Sequence, residues 1–256
     1  MAIIFPWYKL GYIIPHRHTD LDGYQFARVA PDGMMLVTTQ LDLAEYSLAA
    51  VERELPALWD GVDILASRTD SIAISGVPLA ASLGRERTGA LLAEASDRAG
   101  RACRTDLESH IEAMQHLGAE RIALATRWPD ALNARIVDYL GQAGIEVRSL
   151  RAEQRDLQQN KAAGPEADHH LALRLGREAL QAAPDAKALM LPGGLWFAIY
   201  AAPLLEAEFG VPVLLNISVT VWAALRAVDG GLAAYPAANA GALLAGLPGG
   251  AETFTK

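Results

Sequence analysis

The sequence contains a single cysteine, Cys103, among 256 residues. One thiol excludes an intramolecular disulfide and any four-cysteine zinc site. There is no basic stripe either. The formal charge is −8, so the electrostatic attraction that dominates nucleic-acid affinity is missing, and no nucleic-acid partner is expected. Uninterrupted membrane-length apolar runs are also absent. The longest uncharged stretch, Ala188 to Leu205, is broken by Pro192-Gly193-Gly194 and Pro203, and it reads as a buried strand, a turn and a helix. No membrane partner is expected. Pro6 interrupts the apolar first ten residues, and neither a basic leader nor a small-residue cleavage site follows, which points to a cytoplasmic location.

What the chain does have is apolar content, 52% of its residues. That is enough to bury one large core or two small ones. Short apolar runs alternate with longer helical patterns, which favours an α/β fold with a parallel sheet covered on both faces by helices. Strands are expected at Gly11 to Pro15, Met34 to Thr38, Ser71 to Ser75 and Arg101 to Thr105, and again at Arg121 to Thr126, Glu146 to Leu150, Ala188 to Leu191 and Val211 to Asn216. In each half the first and third strands start roughly sixty to seventy residues apart, and the third and fourth roughly twenty to thirty. Two similar α/β units facing each other follow from this duplication. One unit spans 1–118, completed by 219–256, and the other spans 119–218.

Apolar residues at helical spacing mark helices over Leu41 to Leu55, Asp130 to Ala143, Leu107 to Leu117 and Asp168 to Ala182. The stretch from Glu153 to Ala167 reads as a surface connection. Asp229-Gly230-Gly231 reads as a helix-ending turn, followed by a glycine- and proline-rich tail without a long helix.

In open α/β sheets the carboxyl ends of the strands line the ligand crevice. The first strand ends there in Pro15-His16-Arg17-His18. His16 is the expected acid or base, because imidazole exchanges protons near neutral pH. Arg17 or Arg127 can grip a carboxylate in a bidentate way, and Gln40, at the end of the second strand, can touch the ligand. A solvated loop is the alternative for the first-strand segment. His16 and His18 with Asp20 and Asp22 also allow a shared metal ion, but a third ligand is not evident, so no metal or cofactor is expected. His110 and His116 fall on a helix and read as surface or interface residues. Ser218 and Thr220 are either anion donors or helix caps.

Four segments carry a resemblance: Gly76-Val77-Pro78, Pro192-Gly193-Gly194, Leu124-Ala125-Thr126-Arg127-Trp128 and Gly210-Val211-Pro212-Val213. In their order and spacing the chain resembles the arylmalonate decarboxylase and maleate isomerase branch of the aspartate/glutamate racemase superfamily, from about Gly11 to Arg226. The resemblance implies two α/β units with the active site in the cleft. It places Gly76, Val77 and Pro78 where decarboxylases hold a substrate carboxylate with hydroxyls and amides, and Val77 and Pro78 remove those donors. Pro192 stands where the family carries a reactive cysteine, followed by Gly193 and Gly194, and proline can neither donate a proton nor attack. Cys103, in the fourth-strand region, is no replacement. Trp128 stands in place of a carboxylate-binding tyrosine, and Tyr46 matches a second pocket tyrosine. Each has a bland alternative, a packed Trp and an exposed Tyr.

The expected function is therefore a cysteine-independent enzyme acting on a small carboxylate, a decarboxylase or related lyase. A non-catalytic ligand-binding or regulatory protein is the alternative. A cis-trans isomerase or metal-dependent hydrolase comes behind it. Apolar helices such as Leu107 to Leu117 leave room for a homo-oligomer.

Overall fold

The computed structural model describes residues 6–17, 20–226 and 228. The first half runs β1 (Tyr8–Ile14), α1 (Asp20–Val29), β2 (Met34–Gln40), α2 (Leu48–Ala66), β3 (Ser71–Ile74), α3 (Val77–Leu83), α4 (Arg85–Ala99), β4 (Cys103–Thr105) and α5 (Asp106–His116). The second runs β5 (Arg121–Thr126), α6 (Asp130–Gln142), β6 (Glu146–Ala152), α7 (Leu157–Ala162), α8 (Pro165–Ala182), β7 (Ala188–Leu191), α9 (Ala201–Phe209), β8 (Val213–Leu215) and α10 (Asn216–Arg226). All pairings are parallel, in two four-stranded sheets ordered β2-β1-β3-β4 and β6-β5-β7-β8. The duplicated α/β architecture expected from the spacing is the one observed.

Burial explains the layout. The central strands β3 and β7 are buried at every residue, as strands covered on both faces must be. The edge strands β2 and β6 leave most of their residues half-buried or exposed. One apolar core runs through both lobes, from Tyr12 and Leu107 to Leu189 and Trp222, and a second lies on the outer face of the first sheet around Ile13, Val62 and Ile74. α10 leaves the second sheet and packs on α5 and α1 of the first lobe. The turn at Asp229-Gly230-Gly231 and the tail beyond it lie outside the described residues.

The strand registers align the two lobes residue by residue. Ile74 pairs with Thr105, the residue before Asp106, and Leu191 pairs with Leu215, the residue before Asn216. Ser75 thus corresponds to Pro192, Gly76 to Gly193, and Asp106 to Asn216. Gly76 (φ 110°) and Gly193 (φ 127°) both turn the chain through conformations closed to residues with a Cβ.

Several expectations need correction. The helix expected from Leu41 starts only at Leu48, where Ser47 caps it. The amides of Leu41 and Leu43 instead bond to Ile14 and Pro15 carbonyls, holding 41–47 as a loop against the end of β1. The connection expected over Glu153 to Ala167 contains α7, started by a capping box between Asp156 and Gln159. α1 went unrecognised because its buried face includes Asp22 and Gln25, which breaks the apolar periodicity.

Candidate active site

The carboxyl ends of both sheets meet at one pocket between the lobes. Pro15 and His16 reach it from β1, Leu43 and Tyr46 from the following loop, and Ser75 to Leu79 from the end of β3. Arg127, Trp128, Leu157, Gly193, Gly194, Leu195 and Asn216 close it from the second lobe. It encloses about 40 Å³, room for about three waters where one needs roughly 10–15 Å³. The walls are chiefly aliphatic.

Ten of the residues singled out in the sequence therefore converge: Pro15, His16, Tyr46, Gly76, Val77, Pro78, Arg127, Trp128, Gly193 and Gly194. Three do not. Arg17 is exposed and paired with Asp42 at 3.0 Å on the surface. Gln40 ends the edge strand β2 and is exposed. Pro192 is buried behind the lining. His18 lies outside the described residues. Among those described, no three His, Cys, Asp or Glu side chains are grouped to hold an ion, and no helix is long and apolar enough to cross a membrane. Cys103, at the start of β4, is buried and does not line the pocket.

Arg127, expected to grip a ligand carboxylate, is paired within the protein. Its guanidinium is 3% exposed, bonds Asp168 at 2.8 Å and lies 5.4 Å over the Trp196 ring. Arg155 bonds the other oxygen of Asp168 at 3.3 Å. A buried charge is tolerable only when paired, and here the partner is the protein's own carboxylate. Tyr46 lies in the loop before α2 and not on a helix. Its hydroxyl accepts from Asn160 Nδ2 at 3.0 Å across the lobes, and its ring meets Trp128 edge-on. Trp128 is fixed by a local net in which its amide donates to Thr126 and its carbonyl accepts from Asn133. Leu157 and Asn160 both come from the stretch expected to be a plain surface connection.

The floor is a buried polar cluster that the sequence reading missed. Asp106 is fully buried and accepts from Ser75 (2.8 Å), the Gly76 amide (2.8 Å), Asn216 Nδ2 (2.7 Å) and Thr220 (3.0 Å). Asn216 Oδ1 accepts from the Gly193 amide (2.9 Å) and from His110 Nε2 (3.1 Å). Each lobe thus ties its strand-end glycine amide to the first residue of its last helix, and those two residues bond each other. His110 is buried, not a surface residue, and burial pulls its pKa down to about 4. Burial pushes Asp106 up to about 6. Thr220 serves this cluster, while Ser218 caps α10 through the Leu215 amide. The signal available in the sequence was positional: Asp106 and Asn216 each directly follow the last strand of a repeat.

The Gly76 and Gly193 amides are thus committed inward. Those of Val77, Gly194 and Leu195 donate to no protein group among the described residues, which leaves backbone donors beside His16 for an anionic guest.

The arylmalonate decarboxylase family matches residues 25–242 of the chain. Arylmalonate decarboxylase from Bordetella bronchiseptica is 27% identical over 169 residues, covering 64% of this chain and 68% of that protein. A crystal structure of arylmalonate decarboxylase superposes with a TM-score of 0.76 at 25% identity, over 92% of this chain and 98% of the other. The maleate isomerase from Pseudomonas putida S16, solved with maleate, shares the fold with a TM-score of 0.78 at 21% identity, over 93% of this chain and 98% of its own.

Proposed function

The chain belongs to the arylmalonate decarboxylase family, and from that premise we propose that it is an enzyme of small carboxylates, a decarboxylase or related lyase, that works without a cysteine. The observation that carries the reading is convergence. His16, backbone amides without a partner among the described residues and an apolar wall share one pocket at the paired strand ends. Pro192 stands at the second strand end, and Cys103 is remote from it.

Loss of carbon dioxide from a malonate leaves the bonding pair on the α-carbon, delocalised into the remaining carboxylate as an enediolate. An apolar wall of Leu43, Leu157 and Leu195 disfavours the charged leaving carboxylate. His16 and the amides of Gly194 and Leu195 meet the oxygens that gain charge, in place of the donors that Val77 and Pro78 lack. Trp128 and Tyr46, which meet edge-on in the lining, set the ligand's width.

A screen of aryl- and alkyl-malonates, maleate and related diacids tests this. Malonates are expected to release carbon dioxide with wild type, and His16→Ala to lower the rate by about 100-fold or more. Turnover unaffected by the substitution removes His16 from the mechanism. The small pocket volume and the occupied Arg127 favour a second reading, a ligand-binding member without turnover. Calorimetric binding of a malonate that is never decarboxylated would select it.

A further inference from the structure

Behind Ser75 runs a chain of buried oxygens that the reaction above leaves unused. Asp22, on α1, is 2% exposed, and its Oδ2 has no hydrogen-bond partner. Its Oδ1 lies 3.3 Å from the Tyr12 hydroxyl, Tyr12 lies 2.8 Å from Ser75 Oγ, and Ser75 lies 2.8 Å from Asp106 Oδ2.

The hydrogens along this chain can be counted. Asp106 receives four donors and needs no proton of its own. Ser75 directs its one hydrogen to Asp106, and Tyr12 directs its one to Ser75. A Tyr12 hydrogen spent on the shorter contact to Ser75, 2.8 Å, is not available to Asp22 at 3.3 Å, and in that arrangement the Asp22 contact is a hydrogen bond when Asp22 carries the proton and donates it. An ionised Asp22 would also leave a charged oxygen unpaired in the interior. No cation offsets either acid among the described residues. Burial and then Asp106 push the Asp22 pKa up to about 7, above that of Asp106, which gives the same order of proton loss.

The surroundings of Asp22 contribute little else that titrates. Tyr12 faces it from β1, Asp106 from the start of α5, and Asp20 from its own helix. The β7–α9 loop brings Gly194 against it, so close that a Cβ there would overlap Asp22 Oδ1. That loop's one titratable side chain, Tyr200, is bonded to Tyr24. The one charged residue of α10, which packs on α1, is Arg226 at its far end.

We propose that Asp22, Tyr12 and Ser75 form a proton relay into the pocket, with Ser75 as the catalytic hydroxyl that protonates the carbanion and Asp22 as the store behind it. This rests on the decarboxylase reading. The electron pair left by C–C cleavage takes the Ser75 proton to form the new C–H bond. Ser75 takes the Tyr12 proton and Tyr12 takes that of Asp22. The resulting Asp22 carboxylate recovers a proton from solvent, the one proton each turnover consumes. Concerted transfer spares Ser75 from becoming an alkoxide, and His16 acts at the oxygens.

Infrared spectroscopy of the unliganded protein at neutral pH reads the store directly. A protonated-carboxyl band is expected in wild type, lost in Asp22→Asn and kept in Asp20→Asn. Its absence from wild type, or its survival in Asp22→Asn, overturns the store. Delivery is read with phenylmalonate. Ser75→Ala is expected to lower turnover by about 100-fold or more, and Ser75→Cys, which keeps a proton on a group of similar size, to restore most of it. Wild-type turnover is expected to fall as pH rises past the Asp22 pKa. Asp22→Asn keeps a donor but no transferable proton, so it should be slow with no such fall. Ser75→Ala at wild-type rate, or an unchanged pH profile in Asp22→Asn, overturns delivery. Should Ser75→Ala fail to fold by circular dichroism, the Asp22→Asn profile decides. A wild type that decarboxylates no malonate sinks the proposed function and delivery together, while the infrared band still decides the stored proton.

Discussion

The two strand ends that meet at the pocket share a backbone and differ in chemistry. In the first lobe Ser75 and Gly76 are held by a carboxylate, Asp106, and Ser75 adds a hydroxyl backed by Tyr12. In the second, the Gly193 amide is held by a neutral amide, Asn216, and Pro192, in the place of Ser75, brings no hydroxyl. The duplicated frame needs only an acceptor for each glycine amide, and either Asp or Asn supplies one. What that acceptor also holds is free to diverge. The linked hydroxyls and carboxyls therefore gather on the first lobe, while the second contributes shape, amides and the Arg127–Asp168 pair.

The largest effect should come from removing the charged acceptor. Asp106→Ala strands Ser75, Thr220, Asn216 and the Gly76 amide in the interior and is expected to cost about 4 kcal/mol, measured by urea unfolding. Asn216→Ala, its counterpart, is expected to cost about half as much, because fewer donors point to it. Equal costs would mean that the charge of Asp106 contributes nothing.

Making the lobes alike is the next test. Asn216→Asp sets a second carboxylate against Asp106, where the present bond is 2.7 Å. It is expected to cost about 3 kcal/mol at neutral pH and less in acid, as one of the pair takes a proton. Urea midpoints across the pH range check this.

Asp22 tests the same asymmetry through pH. Its folded pKa of about 7 exceeds the usual 3.8, so between those values the folded state holds a proton that the unfolded chain has released. Its contribution to stability is complete below the lower value and is lost as pH rises through the upper. Relative to wild type, Asp22→Asn should gain stability with rising pH in that window, by about 1.4 kcal/mol per unit at most. His110, whose pKa is lowered to about 4, acts in the opposite sense as pH falls below its unfolded value, so the difference between variant and wild type is the quantity to read.

The smallest effect concerns the cross-lobe contact above the pocket. Tyr46→Phe removes the acceptor of Asn160 and should cost about 1 kcal/mol. Thermal unfolding measures it.

The strands were legible because buried strands are short apolar runs. β5 and β7 were readable to the residue from Arg121 to Thr126 and from Ala188 to Leu191. The helix at Leu48 was misplaced because Leu41 and Ala44 continue its periodicity while belonging to a loop. His16, Gly76 and Gly193 were found as strand-end residues, a rule of position. Asp106 and Tyr12 were not, since an acid at a helix start ordinarily reads as solvent-facing and a tyrosine in a strand as core, and Asp22 was read only as a possible metal ligand because α1 was not recognised. Arg127 was found, but its pairing with Asp168 was not, because charge in a sequence does not reveal which opposite charge folds against it.

The order of residues determined the duplicated α/β plan, the turning glycines and the absence of a thiol at either strand end, all of which are local properties of pattern and residue type. Only the tertiary structure decided that Asp106 and Asn216 meet, that Asp168 holds Arg127, and that Asp22 reaches Ser75 through Tyr12. Those contacts join residues from 10 to 110 positions apart. Their energies depend on shared burial, which no single segment of the chain carries.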